Sequence, residues 1–218
     1  LSGHFDTFHS LEPQKKQNII DAALDEFTGK GFRYASTNAI VENAKISKGT
    51  LFYYFASKEE LFDFLCDYTI EFAKREYLMK FDTGQTRDFL ERYRILSKLK
   101  AGLLSSEPKI IKFFESFYLP KNAEYFAKYT EAIGEIRESI EKKLYENLDY
   151  SLFRDDIAPE KILVYIGWLL ECYAKDLTDT FKKEGGSTGF LQNMADEGFD
   201  KFYELLDHMR KMFYKKLL

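Results

Sequence analysis

Ser36 to Leu61 reads STNAIVENAKISKGTLFYYFASKEEL, and its polar and aromatic residues fall where two short helices joined by a tight turn need them. Ser36 or Thr37 can cap a first helix whose apolar Ile40, Val41 and Ala44 share a face at helical spacing. Ala44 to Ser47 remain for the turn. Ser47 has the chemistry of a second N-cap. It opens a helix from Lys48 to Tyr54, with Leu51 and, just past its end, Phe55 pointing inward at i and i+4. The outward set is then Lys48, Gly49, Thr50, Tyr53 and Tyr54: a cation, a glycine that permits close approach, a hydroxyl with a methyl, and two phenols. Such groups suit the base edges and phosphates of a DNA groove. A third cap at Ser57, with Glu60 completing a capping box, starts a helix carrying Leu61, Leu65, Tyr68 and Phe72.

Upstream, Ile20, Leu24 and Phe27 form the core stripe of a helix expected from Pro13 to Thr28, which Gly29 and Gly31 stop. From Glu12 to Glu60 seven Lys and Arg stand against seven Asp and Glu. This segment is therefore neutral, and attraction for a polyanion has to come from Lys45, Lys48 and Lys58 together with helix N-termini at Thr37, Ser47 and Ser57. Ile19 to Phe27, Gly31, Thr37, Ser47-Lys48-Gly49-Thr50-Leu51, Tyr54-Phe55 and Ser57-Lys58-Glu59-Glu60-Leu61 resemble the DNA-binding domain of the TetR (tetracycline repressor) family of bacterial transcription regulators. The resemblance covers about residues 15–62, a little under a quarter of the chain.

Three positions depart from that pattern. Lys45 stands where the family usually has a turn glycine, Val41 where alanine is usual, and Phe52 where a tyrosine is common, so Phe52 is expected to do no more than pack. If the turn keeps its shape, Lys45 has to take the left-handed conformation, at a cost of about 1 kcal/mol.

Composition narrows the alternatives. A chain of 218 residues that is 45% hydrophobic has room for one large or two small domains with a real core. Net charge is −4 and would double in a dimer, which argues against a protein that coats nucleic acid indiscriminately. Cys66 and Cys172 lie far apart without CxxC or Cys/His spacing, as expected of free thiols in a reducing cytoplasm, and no metal or cofactor site is expected. The longest apolar run, Ile162 to Leu170, is too short for a membrane helix, which needs roughly 20 residues. His4, His9 and His208 are the only histidines, and the chain carries no GxSxG, GxGxxG, P-loop or HExxH pattern, so no catalytic residues are assigned and an enzyme is not expected.

The rest of the chain reads helical. Helices are expected at Lys58 to about Phe81, Arg87 to Leu104, Pro108 to Tyr118, Ala123 to Leu148 and Pro159 to about Lys183, with a last one after Gly185-Gly186-Ser187; Pro120 and Asn122 close one and cap the next. The fold class is all-α: an N-terminal three-helix helix-turn-helix domain and a C-terminal helical ligand-binding and dimerisation domain, about nine helices in all. The boundaries are residues 12–57 and 58–218, with residues 1–11 an arm or a cloning remnant.

With the resemblance, these features imply a cytoplasmic, ligand-responsive regulator, a repressor, that binds a near-palindromic double-stranded operator as a homodimer. Lys48, Thr50 and Tyr53 are assigned to base edges; Thr37, Tyr54 and Lys58 to phosphates; Ser36, Ser47 and Gly49 complete the DNA-binding set. Phe199, Phe202, Leu206 and Met209 form a seam at spacings of three and four, and with Ile166 and Tyr173 they are assigned to the dimer interface of the last two helices. A pocket for a small apolar or aromatic effector is assigned to Tyr68, Phe72, Phe114, Phe117, Tyr118, Trp168, Glu171 and Cys172. The alternative is a helical small-ligand-binding protein whose DNA contact is vestigial.

Overall fold

Apolar residues recur every three or four positions at Ile19, Ile20, Ala23, Leu24 and Phe27, and the helix they build, α1 (Pro13–Tyr34), buries all five. Pro13 opens it, since a first-turn proline gives up no needed N–H. Gly31 interrupts it at φ 72 and ψ 168, a conformation that a side chain would strain, and the last residues to Tyr34 resume helical geometry beyond the expected stop. The structure is a computed structural model describing residues 8, 10–118, 123–183 and 199–216. Two compact units emerge, Leu1–Lys74 with Glu107–Gly134, and Arg75–Ser106 with Glu135–Leu218. The first unit thus gathers chain from both sides of residue 58.

In the first unit α1 is followed by α2 (Thr37–Asn43), α3 (Lys48–Tyr54) and α4 (Lys58–Ala73). A π-helical turn, Lys74–Leu78, follows α4 where an unbroken α-helix to Phe81 was expected. The unit is completed by α6 (Pro108–Glu115), the 3-10 turn Ser116–Tyr118, α7 (Ala123–Phe126) and the 3-10 turn Ala127–Tyr129. Here the helix expected from Ala123 is broken, because the tighter turn brings Tyr129 inward, where its hydroxyl donates to Asp63 over 2.9 Å. Phe62, Phe113, Phe117 and Phe126 interlock, with Phe117 and Phe126 stacked at 3.9 Å between centroids. Burial, reinforced by the Asp63 charge, pushes the thiol pKa of Cys66 well above its ordinary value, so Cys66 behaves as a small core hydrophobe.

The second unit is built on α5 (Phe89–Ser106), α8 (Thr130–Tyr145), α9 (Pro159–Lys183) and α10 (Phe199–Phe213), α8 beginning in the first unit. Phe81, Phe89, Leu90, Phe153, Ile162, Ile166, Leu206 and Met209 make its sealed core. The linker Gly185-Gly186-Ser187, like Pro120 and Asn122, lies outside the described residues. Among those described, β structure is confined to a bridge between Phe153 and Tyr214.

Cations close the helix ends of this unit. Arg92, 1% exposed, donates from Nη1 to the carbonyls of Lys143, Leu144 and Glu146 and from Nε to that of Thr86. These are the last carbonyls of α8 and the loop before α5, groups a helix cannot satisfy for itself. Lys143 Nζ donates likewise to Leu78 and Phe81. At the same end of α5, Asp88 caps Glu91 N–H, accepts the Tyr214 hydroxyl at 2.8 Å and pairs with Arg210 at 2.7 Å, which fastens the C-terminal segment to the N-terminus of α5.

Candidate nucleic-acid interface

The reading unit is assembled from caps. Ser36 Oγ accepts from Ala39 N–H at 3.4 Å and starts α2. Its own N–H donates to Glu26 Oε1 at 2.9 Å, and Glu26, 8% exposed, also pairs with Lys30. Glu26 was not singled out in the sequence, where it is one more acid on an amphipathic helix; folded, it fixes the start of α2 against α1. Ser47 Oγ accepts from Thr50 N–H at 3.0 Å and shares a 2.8 Å hydrogen bond with the Thr50 hydroxyl, which holds the Thr50 rotamer. Ser57 caps α4 through Glu60 N–H, while Glu60 Oε2 accepts from Ala56 N–H, one residue upstream of the cap.

Between α2 and α3, Lys45 takes φ 56. The turn therefore keeps its left-handed residue without the glycine. Lys45→Gly should raise the unfolding free energy by about 0.5–1 kcal/mol, since relief of the left-handed strain outweighs the added chain entropy. Urea melts of the two proteins check it, and an equal or lower midpoint would mean that the lysine is not strained.

α3 seats Leu51 at 1% exposure, and Phe55 after it is likewise sealed. Its opposite side faces solvent: Lys48 and Gly49 are exposed, Tyr53 is 59% exposed, and Thr50 is half-buried. Gly49 Cα has only Ser47 Oγ, at 3.8 Å, near the place a Cβ would take, so the glycine answers to close approach from outside and not to crowding within. Tyr54 is half-buried, its ring edge-on to Tyr53 at 5.0 Å. Phe52 does not simply pack: it is 37% exposed, with Lys48 Nζ 5.9 Å from its ring centroid.

Lys58 corrects the phosphate assignment. Its Nζ donates to the carbonyls of Phe32 at 2.9 Å, Arg33 at 3.4 Å and Ala35 at 3.1 Å, and it lies 4.8 Å from the Phe32 ring centroid. An ammonium has three protons, and all three are used on the end of α1. Thr37 remains half-exposed at the start of α2.

Residues 19–64 match the family model described as bacterial regulatory proteins, tetR family. This segment is a TetR-type DNA-binding domain. AcnR of Corynebacterium efficiens, an HTH-type transcriptional repressor, is 22% identical over 174 residues, covering 78% of this chain and 85% of that protein. The A-factor receptor protein of Streptomyces griseus is 31% identical over 90 residues, covering 39% of this chain and only 33% of that protein's length. A TetR family transcriptional regulator from Chloroflexus aurantiacus matches in structure with a TM-score of 0.53 at 20% identity, over 97% of this chain and 98% of that one, a likeness of fold.

The other two TetR-type assignments are rearranged. Of the expected interface, Ile166, Leu206 and Met209 are at most 1% exposed and Phe199 is 9% exposed, so they present no surface to a second copy. Tyr173 and Phe202 are half-buried and lie against each other at 5.4 Å. Conversely, the pocket residues Trp168, Glu171 and Cys172 stand on the open side of α9, Trp168 at 60% exposure. Phe72 and Phe117 are buried in the first unit, Phe114 is half-buried beside Phe117, and Tyr68 stacks on Phe64; the Tyr118 side chain lies outside the described residues. The first half of α9 is apolar nearly all round, so periodicity alone does not say which side faces in. In the second unit Lys80, Gln85, Thr86, Glu91, Ile95, Lys98 and Leu99 line an open groove of about 640 Å³, none of them among the expected pocket residues. No described helix is long and apolar enough to cross a membrane, and no group of three or more His, Cys, Asp or Glu among the described residues is placed to hold a metal.

Proposed function

We propose that the chain is a ligand-responsive transcriptional repressor that binds a near-palindromic operator as a homodimer. The observation that carries this reading is the outer side of α3, where Lys48, Gly49, Thr50 and Tyr53 stand on a helix anchored by Leu51 and Phe55. Lys48, Thr50 and Tyr53 read base edges; Thr37 and Tyr54 hold phosphates; the Ser36 and Ser47 side chains serve as caps behind them. Two copies would set their α3 helices in successive major grooves roughly 34 Å apart. A gel shift with the DNA upstream of the protein's own gene tests it. A retarded band that resists non-specific competitor supports the regulator, and no band short of non-specific binding favours the ligand-binding protein with a vestigial helix-turn-helix.

The dimer is assigned to the open side of α9. Val164, Tyr165, Trp168 and Leu169, neighbours on one side of α9, are between 36% and 60% exposed, and apolar surface of this kind marks an association site. Trp168→Glu should therefore give monomers in light scattering, whereas Leu206→Glu, placing a charge in the core, should unfold the chain. A Trp168→Glu protein of dimer mass would move the interface elsewhere.

The effector is a small apolar or aromatic molecule taken up by the helical remainder of the chain. It acts by favouring a different splay of the paired α4 helices, and only a difference in its affinity for the two arrangements releases DNA, typically about 1–3 kcal/mol.

A further inference from the structure

We propose that Phe8 is a positioning residue for the recognition helix, fixing the C-terminal end of α3 and with it the Tyr54 phenol. Phe8 is fully buried although it precedes α1. Its ring meets Tyr54 edge-on at 5.6 Å, Phe55 at 4.9 Å and Phe64 of α4 at 5.1 Å, and Lys16 Nζ of α1 lies 5.8 Å from its centroid. Leu11 N–H donates to the Phe8 carbonyl at 3.3 Å, which turns the chain from this residue toward α1.

A seven-residue helix cannot hold itself by its own hydrogen bonds, so its direction is set by what its ends are wedged against. The N-terminal end of α3 has the Ser47 cap and its middle has Leu51. At the other end both Tyr54 and Phe55 rest on Phe8. Fixing Tyr54 on one side by an edge-on ring leaves its hydroxyl a narrow range of directions, which a phosphate contact requires. The functional half of this inference rests on the DNA-reading role proposed for α3; the positional half does not.

The test is amide hydrogen exchange on the full chain together with binding to the upstream duplex. Phe8→Ala should speed exchange at Leu51 to Phe55 by at least about tenfold while amides of Ile19 to Phe27 keep wild-type rates, and Phe8→Leu, which refills most of the volume, should restore both. Affinity should fall about tenfold for Phe8→Ala, with little further loss when Tyr54→Phe is added, because the two share one contact. Unchanged exchange in α3, an equal rise throughout α1, or additive losses on DNA would overturn the assignment. If the wild type binds no duplex but the exchange stays local, the positioning of α3 is supported and the DNA reading alone fails.

Discussion

Arg92→Met is expected to lower the unfolding free energy by about 3 kcal/mol, with a drop in midpoint temperature of about 9 °C for a chain of this length. Arg92 is 1% exposed, and among the described residues its guanidinium is hydrogen-bonded to four backbone carbonyls and to no carboxylate, three of the carbonyls lying at the end of α8. Desolvation draws its pKa below the usual arginine value, offset by the Glu146 charge, yet an arginine remains charged at neutral pH. Burying that charge is costly, and the substitution recovers part of the cost. What it does not recover is the pairing of the four carbonyls, each of which costs about 1–3 kcal/mol if left buried without a donor. Arg92→Lys, with one donor group at the wrong reach, should fall between the two. Thermal and urea unfolding check this, and a Met variant within 1 kcal/mol of wild type would mean that water replaces the guanidinium at the end of α8.

Two lysines ten residues apart should separate reading from support. Lys48→Ala is expected to weaken operator binding about 10- to 100-fold and to relax selectivity at the base it meets, with stability unchanged, because its side chain is exposed at the start of α3. Lys58→Met should do the reverse. It removes the donor from three carbonyls at the end of α1 and so costs about 1–2 kcal/mol of stability, while the slope of affinity against salt stays that of the wild type. Fluorescence anisotropy across a salt series, with urea melts on the same proteins, reads both. A shallower salt slope for Lys58→Met, at unchanged stability, would return that lysine to the phosphates.

The same pair shows how far the residues speak for themselves. Ser36, Ser47 and Ser57 were legible as caps because a cap depends on neighbours within four residues, and all three accept the hydrogen bonds that their spacing implies. The left-handed turn at Lys45 was legible for the same reason. Lys58 was not, because its acceptors lie 23 to 26 residues upstream and nothing in SKEEL announces them. Arg92 sits in an ordinary charged stretch, and its acceptors are as many as 54 residues away. Phe8 was equally silent, in a segment with no periodicity to place it.

The all-helical class, the helix-turn-helix and the exposure of Lys48, Gly49 and Tyr53 on α3 followed from the sequence, since helical period, capping and turn chemistry are local interactions written in consecutive residues, whereas Thr50 and Tyr54 are half-buried. Which side of an apolar helix is buried is decided by partners brought together from distant chain. That is why Ile166, Leu206 and Met209 became core, Trp168 became surface, and the lysine expected on DNA became the closing cap of α1: each outcome was set by tertiary packing and by carbonyls that only the folded chain places within reach.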